Sequence, residues 1–182
     1  MPEMSAREAF TDFLAGDYEK LNFRCYDFFQ NWQYCCSVGR LEYTLMDVDG
    51  DGSEELLVQY EDDPQDIKAL FDYADGWIAC WELDCVESCR WSELLADGTM
   101  LRRYDGNGAQ TYTFYRYRPD GSTEELGPAL KYVGDTVLSD TYGGPGWTID
   151  DVPVDAAVFQ AKLRELVTDR LPGRDIWKPV GP

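Results

Sequence analysis

The sequence predicts an α+β fold: an antiparallel β-meander of hairpins with short N-terminal helices and a C-terminal helix. Three observations carry this expectation. Apolar residues recur at helical spacing near both ends of the chain. Between them the period changes to two. Within that middle stretch, Asp-Gly pairs fall at Asp75, Asp97 and Asp120, 22 and 23 residues apart. Each pair sits between β-prone runs, a strong hairpin signal, and the regular spacing suggests one hairpin unit repeated about three times.

The elements follow in order. "SAREAFTDFLAG" reads as a helix: Ser5 and Glu8 form a capping box, Phe10, Phe13 and Leu14 share a face, and Gly16 sits at the C-cap. Leu21, Cys25, Phe28, Phe29 and Trp32 recur at helical spacing and predict a second helix. From Arg40, the alternation of Leu41, Tyr43 and Leu45 with polar residues predicts a half-buried strand, and Leu56 to Tyr60 a second one. In "TYTFYRYR" both faces carry aromatic residues, so that strand is expected to be central or covered on both sides. A glycine-rich break, "YGGPGW", precedes a last helix from about Asp155 to Arg170. Phe159, Leu163, Leu166 and Val167 line its apolar face, and "RDIWKPVGP" reads as an extended tail anchored by Ile176 and Trp177. At 182 residues this makes one domain. Residues 1–38 form a helical segment packing on the sheet, residues 39–171 the meander with its helix, and residues 172–182 the tail.

Composition narrows the function. The formal charge is −19, so duplex DNA and anionic membranes would repel the protein while basic partners or cations would be drawn to it. The sequence contains no histidine, which excludes Ser-His and Cys-His nucleophile pairs and His-ligated zinc or haem. No apolar run approaches the ~20 residues of a membrane span. "MPEMSAREAF" lacks a basic region and an apolar core, so the chain reads as cytoplasmic unless a leader has been trimmed. The even count of six cysteines permits disulfides, while Cys80, Cys85 and Cys89 lack the spacing of a zinc knuckle and are expected as buried thiols in strands.

The candidate site lies in "LMDVDGDGSEELLVQY". Carboxylates as crowded as Asp47, Asp49, Asp51 and Glu55 are either all solvated or held together by a cation. Numbered from Asp47, the three aspartates occupy positions 1, 3 and 5 of a calcium loop. Gly52 stands at the sharp turn, Ser53 offers its main-chain carbonyl, and Glu55 falls at position 9. These are hard oxygen donors, and their number favours Ca2+ over Mg2+. Val58 replaces the bidentate glutamate of an EF-hand, and the flanks are strands, so the ion would clamp two strands and act structurally.

Asp-x-Asp-x-Asp-Gly-x-x-Glu between strands resembles the calcium loops of FG-GAP-type repeats. "YTLMDVDGDGSEELLV" is similar to the signature of uncharacterised, often lipoprotein-type domains of anaerobic Gram-positive bacteria. "LLADGTMLRRYDGNG" is similar to their hairpins, and "WTIDDVPVDAAVFQAKL" to the lead-in to their late helix. The resemblance implies side-chain ligation by Asp47, Asp49, Asp51 and Glu55, main-chain ligation by Ser53, and a place at the cell surface.

Weaker signals have plainer uses. "DGNG" at Asp105–Gly108 reads as a turn rather than a second ion site. Trp77, Trp81 and Trp91 read as core rather than as a sugar platform. Two function classes follow. The first is a non-catalytic, calcium-stabilised domain that binds a protein or surface ligand. The second is an acidic inhibitor or immunity-type protein that neutralises a basic partner, such as a toxin nuclease. An enzyme ranks behind both.

Overall fold

A computed structural model describes residues 4–22, 26–84, 89–135 and 144–181, apart from the side chains of residues 26–29 and 65. Contacts divide the chain into two compact units, Met1–Val86 with Arg174–Pro182, and Glu87–Gly173. The α+β class is as expected: helices frame the chain at both ends, and every strand pairing in the two sheets is antiparallel.

The first unit opens with α1, Ala6–Leu14. Ser5 caps it by accepting from the Glu8 N–H, and the Glu8 side chain accepts from Ser5 N–H in return, so both orphan donors are satisfied. The second helix, α2, spans Tyr26–Val38, and therefore starts later than the Leu21 periodicity suggested. Leu21 instead makes a parallel bridge to Ile78, and Asn22 N–H donates to Ile78 O. Backbone pairing to an edge strand outweighs local helical spacing there. Cys25 lies outside the described residues.

Strands β1 (Leu41–Met46), β2 (Glu55–Tyr60), β3 (Asp63–Ala74), β4 (Trp77–Leu83) and β11 (Lys178–Pro179) form the first sheet, in the order β11-β1-β2-β3-β4. Its α-facing side holds Leu41, Leu56, Val58, Ala69 and Phe71 against Phe10 and Phe13 of α1 and Trp32 of α2. All six residues of β2 are buried, so both faces of this strand are covered. Asp75-Gly76 closes β3–β4 as a two-residue turn between the paired Ala74 and Trp77, both turn residues at positive φ (54° and 82°).

The extended tail joins the first sheet as an edge strand beside β1. Val180 N–H donates to Leu41 O at 2.8 Å, and Arg174 makes a two-pronged contact with the buried Glu42 carboxylate at 2.5 and 2.8 Å. Arg174→Ala is expected to cost about 1–3 kcal/mol, since it strips a charge-assisted partner from a buried carboxylate. Hydrogen exchange at the Val180 amide checks this; unchanged protection would refute it.

The second unit is a plain meander, β10-β9-β8-β7-β6-β5. Its strands are β5 (Arg90–Leu94), β6 (Met100–Gly106), β7 (Ala109–Tyr117), β8 (Thr123–Val133), β9 (Gly146–Ile149) and β10 (Val152–Val154). The Asp97 and Asp120 pairs mark the β5–β6 and β7–β8 hairpins as expected, and Asn107-Gly108 turns β6 into β7. In this unit one hairpin had no glycine to announce it: Asp150 and Asp151 turn β9 into β10, both at positive φ. Aspartate tolerates that region better than most side chains.

Helix α3, Ala156–Leu166, begins on the Asp155 cap and continues as a 3-10 turn over Thr168–Arg170. Phe159 and Val167 bury themselves with Leu95, Leu101, Phe114 and Leu130, and Leu163 and Leu166 pack alongside. The central strand β7 is covered on both faces, with Phe114 on one and Tyr115 and Tyr117 on the other, all buried. No helix among the described residues is long and apolar enough to cross a membrane.

Two expectations need correction. Trp77 is 50% exposed beside its turn, so it is not a core residue. Cys80 and Cys89 are not buried strand thiols either: Cys80 is half-buried on β4, and Cys89 is exposed just before β5. On α2, Cys35 is disulfide-bonded, as the even count permitted, and Cys36 follows it as an exposed thiol. Cys85 lies outside the described residues.

Candidate metal centre

The acidic loop joins β1 to β2 within the first unit. Its ends are held in register by the β1–β2 ladder, which closes at Met46↔Glu55. Val48 is the loop's apolar anchor at 1% exposure, turning the aspartates on either side of it outward from the core. Gly50 and Gly52 both adopt positive φ (82° and 93°), which lets the chain fold back over its own carboxylates.

The carboxylates organise the loop backbone. Asp47 accepts from the Gly50 N–H at 2.6 Å and the Gly52 N–H at 3.1 Å. Asp49 accepts from the Asp51 N–H at 2.9 Å, and Asp51 from the Ser53 N–H at 2.6 Å. These contacts curl the loop, so that oxygens of Asp47, Asp49 and Glu55 lie within 4.8 Å of one another. Asp51 is not one of that close group, and both Asp51 and Ser53 are exposed.

Glu55 is the unusual member. It is fully buried, and the Val48 N–H donates to its Oε2 at 2.8 Å. Its Oε1 is buried with no hydrogen-bond partner, the one carboxylate oxygen so placed among the described residues. An unsatisfied buried carboxylate is costly. Burial, with Asp49, Asp72 and Asp47 adding repulsion against the Val48 N–H, pushes Glu55 up to about 8. Asp49 is also raised, first by burial and then by Asp51 and Asp47.

Asp72 belongs to the same neighbourhood and was not anticipated. It is 8% exposed on β3. The register Leu56↔Phe71, carried one step on, sets Asp72 beside Glu55 on the face away from α1 and α2. Burial, reinforced by Asp49 and Asp51, pushes its carboxyl up to about 6, against a stabilising Tyr73 N–H. A signal was present: Asp72 is a lone acid inside the apolar run "ALFDYA". It was illegible as part of the site because strand pairing, not sequence distance, joins it to the loop.

The second candidate, "DGNG", is spent on a turn: Asp105 accepts from the Gln110 amide at 2.8 Å while Asn107-Gly108 reverses the chain. Oxygen donors without a thiolate or imidazole suit a hard cation. No family model, curated protein or solved structure matches this chain.

Proposed function

We propose that the protein is a non-catalytic, calcium-stabilised binding domain, its ion held by Asp47, Asp49 and Glu55. Asp51 and the Ser53 carbonyl complete the oxygen set. The observation that carries this reading is the unpartnered Glu55 oxygen, buried against two further carboxylates. A divalent ion supplies the missing partner, neutralises the repulsion and turns binding energy into folding energy. The likeness of the loop to FG-GAP-type calcium loops supports the same assignment. So does the disulfide at Cys35, which suits an oxidising compartment. Extracellular modules of this kind bind calcium with Kd values of about 10⁻⁴–10⁻³ M.

The alternative of an acidic inhibitor draws on the acids between Arg40 and Lys68. Five of those acids already face cations: Glu42 faces Arg174, Glu54 faces Arg7, Glu61 faces Arg40, and Asp63 and Asp66 face Lys68. That pairing thins the open negative field and supports the calcium reading over the inhibitor reading.

Calorimetry with Ca2+ and Mg2+ on metal-stripped protein tests the proposal. Calcium is expected to bind, and to raise the melting temperature lowered by EDTA. Replacing Asp47, Asp49 and Asp51 together with asparagine is expected to abolish both effects. Wild-type protein with no calcium heat and no melting shift would overturn the assignment.

A further inference from the structure

We infer that Asp72, on the strand next to the loop, is a positioning residue of the cation site, holding a water ligand of the ion and strengthening the site's hold on calcium. This rests on the calcium reading above. The loop that the sequence announces supplies the close group, Asp47, Asp49 and Glu55. Asp72 is not one of that close group, so its part is played through a water rather than by direct ligation. Its location is set by the sheet: β3 pairs with β2, and Leu56 opposes Phe71, which brings the Asp72 and Glu55 side chains to one face. Both are buried, and each lies close enough to the loop aspartates to feel their charge.

A strand interior is an unfavourable place for an unneutralised carboxylate. Among the described residues no basic side chain forms an ion pair with Asp72. A cation among its neighbours removes that cost for Asp72 and Glu55 together. Carboxylates outside the direct ligands orient bound water and tune affinity in this way. Ligand charge count also sets how tightly an oxygen site holds calcium.

The test is Asp72→Asn, which keeps shape and removes charge. Calcium affinity by calorimetry is expected to fall about tenfold. Melting of the metal-free variant is expected to rise, because a buried charge beside other carboxylates has gone. A merely structural aspartate would instead lower melting with and without the ion. Unchanged calcium affinity in Asp72→Asn, with wild-type protein binding normally, would overturn the role of Asp72 and leave the loop site standing. Loss of folding in the variant, or lower metal-free melting, would also overturn it. Wild-type protein that binds no calcium would overturn the site itself. Glu55→Gln serves as the reference for a directly ligating side chain, and is expected to abolish binding.

Discussion

Replacing Glu55 with glutamine is expected to stabilise the metal-free protein and to remove its response to calcium. The two effects share one cause. The glutamine carbonyl still accepts from the Val48 N–H, and folding no longer has to protonate or bury a carboxylate there. In the metal-free fold the Glu55 carboxyl ionises at about 8 against an ordinary 4.5. The folded state therefore binds the proton more tightly than the unfolded chain does. Stability falls as pH rises from about 4.5 toward about 8, because the unfolded chain gives up its proton first. By neutral pH the penalty is on the order of 3 kcal/mol, at about 1.4 kcal/mol per pKa unit.

Calcium is expected to reverse the trend. A bound ion needs the ionised carboxylate, so protons compete with it and the calcium-bound protein gains stability as pH rises. At a thousandfold excess over Kd the ion adds about 4 kcal/mol. Thermal melts of wild type and Glu55→Gln, with EDTA and with calcium across pH 5 to 9, read both signs. Metal-free wild type whose melting is flat or rising over that interval would refute the account, as would a variant that keeps its calcium response.

Phe71→Ala is the second large expectation. Phe71 is fully buried, with Phe13 at 4.8 Å and Trp32 at 5.3 Å between ring centroids, so it ties α1, α2 and β3 together. Truncation empties a ring-sized space that three neighbouring elements cannot all close, and costs about 3–5 kcal/mol. The same residue precedes Asp72 and opposes Leu56, the neighbour of Glu55. The variant is therefore expected to weaken calcium binding as well as lower the urea midpoint. Phe71→Leu, which keeps most of the volume, is expected to lose less than half as much stability. Equal losses in the two variants would show that cavity formation is not the cause.

How much of this was readable in advance differs by element. The helix at Ser5–Gly16 was legible because its signals are local: a capping side chain, a reciprocal glutamate and a three-to-four spacing all act within a few residues. The hairpins at Asp75, Asp97 and Asp120 were legible for the same reason, since a turn's φ requirement selects its own residues. The Asp150-Asp151 hairpin was missed because aspartate advertises many conformations. Leu21 was misassigned because its partner, Ile78, lies far along the chain. Trp77 was misjudged because a large apolar side chain next to a turn has no neighbour in sequence that decides whether it is covered.

The loop from Asp47 to Glu55 shows where the division falls. Sequence by itself determined the donor types, their spacing and the glycines that let the chain curl, because all of these act over nine residues of contiguous backbone. Only the tertiary structure decided that Glu55 is sealed from water with one oxygen unmet, and that Asp72 joins it from β3. It also decided that the strands separate into two sheets. Burial and cross-strand register depend on which distant segments pack together, and long-range pairing leaves no local periodicity to read.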